Sequence, residues 1–298
     1  MQALIEKAQV LHEALPYIRR FRGSTFVVKY GGSAMTDSLL REGFARDIVL
    51  MHTVGIQPVV VHGGGPQIDR ELSRLGIQSR REEGLRITDE PTMEVVERIL
   101  GGEINREIVG LIEAHGGRAV GMGGGPETLI RADKLAAIKT QGGAHVDPGR
   151  VGAIVEVHAQ ALREALAAGG IPVVAPIGRD AAGRPLNINA DTAAGAIAAA
   201  LGAEKFLLLT DTPGVCRADG SVIPSLTGAE VARLRAAGVI AGGMIPKVEC
   251  ALEAVAAGVA KCHVVDGRVR HAILLEIFTD QGIGTEIVAE REREEERS

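Results

Sequence analysis

Aromatic side chains are nearly missing: the 298 residues hold no Trp, two Tyr and five Phe. Stacking on nucleobases is therefore a poor mode of binding for this chain. The formal net charge of −5 offers no basic footprint for nucleic acid either. Three cysteines (Cys216, Cys250, Cys262) are too few, and too irregularly spaced, for a disulfide framework or a zinc site. That usage fits a reduced, cytoplasmic compartment. Cys262 and His263 are neighbours, but with no further ligand nearby in sequence the expected reading is a packed core thiol, not a metal pair. No apolar run reaches the roughly 18 residues that a membrane-spanning helix needs. The opening stretch carries charges every few residues and no small-residue cleavage site, so no secretory signal is expected there.

Familiar catalytic signatures are absent too. Without a single Gly-Lys dipeptide there is no Walker A loop. The chain also lacks a G-x-G-x-x-G after a strand, a G-x-S-x-G, an H-E-x-x-H and the HRD and DFG pair.

What is present reads as a packed α/β protein. Short β-branched runs, namely Thr25 to Tyr30, Pro58 to Val61, Ile171 to Val174 and Phe206 to Leu209, are apolar throughout, as strands buried on both faces must be. Helical patterns lie between them, over 37–53, 66–75, 92–114, 159–167, 190–201 and 247–256. The expected fold is a three-layer αβα sandwich around a mostly parallel sheet. Material from Arg118 to Val157 reads as a β-rich hairpin excursion, and only Glu290 to Ser298 is polar enough to stay unpacked. Two lobes sharing one sheet are expected, 23–186 and 187–298, after an N-terminal helix over 1–22. In that helix Leu4, Ala8, Leu11, Leu15 and Ile18 form an apolar stripe that either covers its own lobe or pairs with a second subunit.

Glycine supplies the chemistry. The first strand ends in Lys29-Tyr30-Gly31-Gly32-Ser33 and the second in His62-Gly63-Gly64-Gly65-Pro66. Both turns lie between a buried strand and a helix, where bare backbone N–H groups and a helix N-terminus favour an anion. Pro66 suits the first helical turn. Lys29 is either a strand-end charge reaching solvent or a cation held for a ligand. Lys247 follows another glycine pair in Gly242-Gly243-Met244-Ile245-Pro246-Lys247. Asp191, in Asn187-Ile188-Asn189-Ala190-Asp191, either serves a helix end or a site. Arg86 lies in Gly84-Leu85-Arg86-Ile87-Thr88.

These five motifs, in this order, resemble the amino-acid kinase family, and the resemblance runs from about Phe21 to Val288. It implies an open, mostly parallel sheet between helices, with an acyl substrate on the N-terminal lobe and ATP on the C-terminal one. The implied reaction is ATP-dependent phosphorylation of the side-chain carboxylate of N-acetyl-L-glutamate, a step of arginine biosynthesis. Lys29 and Lys247 would flank the transferred group and Asp191 would set both. Gly64 and Gly65 would hold the substrate through backbone N–H groups, with Arg86 and Asn187 on its carboxylate. Gly31, Gly32, Asp211, Gly214 and Gly243 would lie along the nucleotide. No metal ligand from the protein is implied, with Mg²⁺ held mainly by the ATP phosphates.

The physics agrees with such a reaction. A carboxylate is already ionised at neutral pH, so its phosphorylation needs no general base. It needs two repelling anions aligned and their charge neutralised. An arginine at position 86 suits a planar, bidentate grip on a carboxylate.

The N-terminal helix and the run from Cys262 to Gly284 are similar to the arginine-inhibited, hexameric branch of the family. That similarity implies a homo-hexamer of three dimers and L-arginine as inhibitor, with Tyr17, His263, Glu276 and Gly282 as the effector residues. One stretch departs from the family pattern: Gly121 to Glu127, where a Gly-Lys-Asp-type sequence is usual. Two other functions share these residues, a kinase for acetylaminoadipate or its carrier-linked analogue in lysine synthesis, and a non-catalytic amino-acid sensor. One methylene of substrate length is worth only about 1–3 kcal/mol in a pocket.

Overall fold

The computed structural model describes residues 1–82, 84–125, 128–139, 143–279 and 282–290. Its central sheet has eight strands in the order Ser225–Leu226, Thr285–Val288, Lys261–Asp266, Lys205–Thr210, Thr25–Tyr30, Gln57–His62, Ile171–Val174 and Ala119–Met122. The six from Lys261–Asp266 to Ala119–Met122 are parallel. Thr285–Val288 runs antiparallel to Lys261–Asp266 and carries Ser225–Leu226 beside it. Strands from both expected lobes share this sheet, with Lys205–Thr210 paired directly to Thr25–Tyr30.

The apolar runs are uninterrupted because each strand is covered on both faces. Val28, Val60 and Leu207 face one layer, where helices Ser38–Thr53, Asn105–Ala114 and Ala272–Ile277 pack. Val27, Val59 and Leu208 face the other, covered by Gln160–Ala167, Ala190–Leu201 and Met244–Ala256. The αβα sandwich is thus the architecture observed. Cys250 and Cys262 are buried in the second layer, and all three cysteines are free thiols.

Two local readings change. The stretch from Arg118 to Val157 is not one excursion, because Ala119–Met122 closes the edge of the central sheet against Ile171–Val174. The remainder contributes Ile130–Lys134 and Gly152–Val157 to a separate four-stranded sheet with Ile177–Arg179 and Pro185–Asn187. The helical pattern over 92–114 is not uniform either. Glu90–Val96 and Asn105–Ala114 are α-helical, but Glu97–Ile104 between them is a π-helix. Such wide turns are rare and concentrate at functional sites.

The N-terminal helix spans Gln2–Phe21. Its end docks, with Phe21 buried and Tyr17 packed against the core. Its earlier turns do not: Leu11 is 71% exposed, and Ile5, Val10 and Leu15 are exposed as well. The side chains of Leu4 and Ala8 lie outside the described residues, as do residues 291–298 of the polar tail and Pro126 and Glu127 of the divergent loop. No described helix is long and apolar enough to cross a membrane.

Candidate active site

A cavity of about 240 Å³ opens at the carboxyl ends of the Thr25–Tyr30 and Gln57–His62 strands. Ligands collect at such ends in open α/β sheets. Lys29, Gly31, Gly32, Gly64, Gly65, Arg86, Asn187 and Asp191 all line it, although they come from four separate motifs. The volume lies below the roughly 300–1,000 Å³ of drug-sized pockets, which suits a small metabolite.

At one end, two ammonium groups meet one carboxylate. Lys29 does not reach out into solvent, for it is only 9% exposed. Its side chain folds back over Gly31, where a Cβ would lie 2.8 Å from Nζ. Nζ then forms an ion pair with Asp191 Oδ1 at 3.0 Å. From the other side Lys247 Nζ donates to Asp191 Oδ2 at 2.7 Å. Asp191 is free for this because Asn189 caps the Ala190–Leu201 helix, its side chain accepting from the N–H groups of Asp191 and Thr192. Burial alone would raise the Asp191 carboxyl, but the charges of Lys29 and Lys247 hold it below its ordinary value. The group is held as the carboxylate.

At the other end the Arg86 guanidinium is buried and fixed from three directions. Nη1 donates to Asp69 Oδ1 at 2.5 Å and to Ser79, while Nη2 donates to the Gly65 carbonyl at 3.2 Å. Arg81 Nη2 also donates to Asp69, at 3.2 Å. Burial pushes the Asp69 carboxyl up, but hydrogen bonds from Arg86, Ser79 and Arg81 outweigh it and hold the group down at about 2. Asn187 Nδ2 donates to Thr88 Oγ1 at 3.2 Å, which steadies its amide beside the cavity. Asp69, Ser79 and Arg81 carry no motif, and nothing in the sequence singles them out. Their polar spacing is that of an ordinary exposed surface until the Arg80–Glu82 and Leu85–Ile87 hairpin folds over the helix that bears Asp69.

The residues expected along the nucleotide are more scattered. Gly31 and Gly32 line the cavity, whereas Asp211, Gly214 and Gly243 do not, and neither does Lys247, expected beside the transferred group. Asp211 supports the first glycine turn: its Oδ1 accepts from Ser33 N at 2.8 Å, hard against Gly32, whose φ is +68°. Gly214 is buried against Thr285, whose hydroxyl accepts from Val215 N at 2.8 Å. Gly243 precedes the helix that carries Lys247.

A second polar cluster joins three of the four residues expected for an effector. His263 Nδ1 pairs with Glu276 Oε1 at 2.7 Å, and Glu276 Oε2 accepts from the N–H groups of Ile283 and Gly284. A Cβ on Gly282 would press on the same carboxylate. His263 Nε2 meets Lys205 Nζ at 2.8 Å, a buried lysine that the motifs did not single out. Burial lowers the Lys205 ammonium to about 8. Cys262 faces the opposite layer, as alternate strand residues must, so Cys262 and His263 do not share a metal.

A lysine near the end of a parallel strand and a lysine on the helix Met244–Ala256 thus meet on one carboxylate, beside a cavity that a fixed arginine also lines. The chain belongs to the amino acid kinase family, whose sequence profile matches residues 24–266. It is 57% identical over 284 residues to acetylglutamate kinase of Acinetobacter baylyi, covering 94% of each chain. Its identity to acetylglutamate kinase of Geobacter sp. strain M21 is 55% over 293 residues, 97% of this chain and all of the relative. Among solved structures it is similar to N-acetylglutamate synthase from Neisseria gonorrhoeae complexed with coenzyme A and N-acetyl-glutamate, at a TM-score of 0.83 and 28% identity. That match covers 94% of this chain but 63% of the synthase, so the chain spans less than two thirds of that longer protein.

Proposed function

We propose that this chain transfers the γ-phosphoryl group of ATP to the side-chain carboxylate of N-acetyl-L-glutamate, forming the acyl phosphate of arginine biosynthesis. The observation that carries it is the Lys29–Asp191–Lys247 cluster, whose Lys29 and Asp191 line one small cavity together with Arg86 and Asn187, on a chain 55–57% identical to acetylglutamate kinases.

In this reading Arg86 and Asn187 hold the α-carboxylate and direct the side-chain carboxylate toward the lysines. Gly64 and Gly65 present N–H groups to the acceptor, while Gly31, Gly32, Asp211, Gly214 and Gly243 follow the nucleotide. Lys29 and Lys247 neutralise charge that spreads over the phosphoryl oxygens as the bond to ADP loosens. Asp191 fixes where both ammonium groups stand. No trio of His, Cys, Asp or Glu side chains able to hold a metal occurs among the described residues, and Asp191 is committed to the lysines. The site therefore suits Mg²⁺ carried by the ATP phosphates, where it would offset their charge. Residues 23–186 form the acyl-substrate lobe and 187–298 the nucleotide lobe of this enzyme, which works in the cytoplasm.

A coupled ADP-release assay offering N-acetyl-L-glutamate, acetylaminoadipate and its carrier-linked analogue tests the reading. ADP formation with the first substrate is expected. Preference for either longer substrate would move the enzyme to lysine synthesis, and release with none would leave a sensor.

The proposal extends to control. The exposed apolar face of the N-terminal helix supports a helix that interlaces dimers into a homo-hexamer. The cluster of His263, Glu276 and Gly282, with Tyr17 on the docked end of that helix and Lys205 added, supports an L-arginine site of matching charge.

A further inference from the structure

The glycine turn after the second strand is held by a residue to which neither the motifs nor the reaction assigns a role. His62 is completely buried at the end of that strand. Its Nδ1 lies 2.9 Å from the Gly63 carbonyl oxygen, and its Nε2 lies 3.2 Å from Asn105 Nδ2. A carbonyl only accepts, so Nδ1 carries the proton; Nε2 then accepts from the Asn105 amide. The other amide hydrogen of Asn105 goes to the Val173 carbonyl at 2.8 Å, which fixes the orientation of the amide. Every donor in this chain of contacts has an acceptor.

The consequence lies in the peptide between Gly63 and Gly64. No peptide bond among the described residues is cis. In a trans peptide the C=O and the following N–H lie in one plane and point in opposite directions. With the Gly63 carbonyl drawn to His62, the Gly64 N–H is turned away from the ring, and both Gly63 and Gly64 line the cavity. The preceding group is tied as well, since Gly63 N donates to the Tyr30 carbonyl at 2.7 Å. Leu100 and Ile104 of the π-helix pack against the turn, each 2.5 Å from where a Gly64 Cβ would stand. Asn105 is the residue that follows the π-helix, so the wide turn places both the packing and the amide.

We infer that His62, oriented by Asn105, is a positioning residue for the phosphoryl-transfer reaction: it sets the plane of the Gly63–Gly64 peptide so that the Gly64 N–H holds the acceptor carboxylate in line with the phosphoryl group it receives. The inference rests on the proposed reaction for its kinetic consequence only, because the tautomer and the peptide orientation exist without turnover. Burial lowers the His62 imidazolium to about 4, so the neutral ring persists across the working range of the enzyme.

The test uses the full-length enzyme. Long-range ¹H–¹⁵N spectra of the histidine rings should show His62 as the Nδ1–H tautomer, unchanged between pH 5.5 and 9. His62→Phe keeps ring bulk and removes the donor; kcat should fall about 10²-fold, as on loss of one oxyanion-type donor, with KM for ATP nearly unchanged. In His62→Asn the amide nitrogen falls near the Nδ1 position, so most of that loss should be restored. Should His62→Phe fail to fold, Asn105→Leu serves, with a smaller fall in kcat and an Nε2–H population appearing in the spectra. An Nε2–H ring in the native enzyme, unaltered kcat in His62→Phe, or an Asn variant as impaired as the Phe variant would each overturn the inference. An inactive native enzyme with the Nδ1–H ring would instead sink the assigned substrate and leave the positioning geometry standing.

Discussion

Asp191 is a small group with two dependents. Replacing it by Asn leaves the Lys29 and Lys247 ammonium groups without their common anchor while keeping the shape of the site. Attraction for anionic reactants should survive, so KM for N-acetylglutamate should hold or fall, whereas kcat should drop about 10²–10³-fold. Steady-state kinetics check this, and a kcat within threefold of the parent would remove Asp191 from its assigned part. Arg86→Lys is the matching change at the far end. It keeps the charge and loses the planar fork that Asp69, Ser79 and the Gly65 carbonyl hold in place. A penalty of about 1–3 kcal/mol is expected to appear as a roughly 5- to 150-fold rise in KM for the acyl substrate. Legibility at this scale followed the range of each interaction. Lys29, Gly64 and Asp191 lie in short strand-to-helix motifs whose chemistry is local. Asp69 and Ser79 act on Arg86 only across folded backbone, and no short stretch of sequence contains that meeting.

Elements were readable where apolar spacing alone decides them. Strands buried on both faces and helices such as Ala190–Leu201 announce themselves by composition. The π-helix does not, because a wider turn changes the hydrogen-bonding partner without changing the residues that bury. Nor does the role of Ala119–Met122, a short glycine-containing strand whose place depends on Ile171–Val174 arriving later in the chain. Contacts between elements bring their own pH dependence. Asp47, buried on the Ser38–Thr53 helix, meets His271 at 2.7 Å ahead of the Ala272–Ile277 helix. Burial, opposed by that contact, raises its carboxyl from the ordinary 3.8 to about 6. Between those values the folded chain binds the proton and the unfolded chain has released it. The contribution of Asp47 to stability therefore falls as pH rises from about 4 to 6 and levels off above. Denaturant midpoints measured across that window should decline in the parent relative to Asp47→Asn.

For the whole molecule, the question is what covers the N-terminal helix. Its docked end, Tyr17 and Phe21, holds it to the core, and the exposed Val10 and Leu11 leave apolar surface that a partner would bury. Deleting residues 1–20 should give a smaller particle by light scattering, with turnover kept and sensitivity to arginine lost. An unchanged hexamer that arginine still inhibits would refute both the interlacing and the effector proposals. The architecture itself was readable at this scale, since alternation of buried strands and helices already implies a sandwich. Assembly was not, because exposed leucines look the same in sequence as core ones.

The thiols of the second layer have a practical consequence. Cys250 is pushed by burial up to about 12, and Cys262 is raised still further by the same cause. An alkylating reagent attacks the thiolate, so neither sulfur is labelled while its layer stays closed. The rate at which iodoacetamide marks each one is then a clock for opening on that side of the molecule, readable by mass spectrometry with no engineered probe.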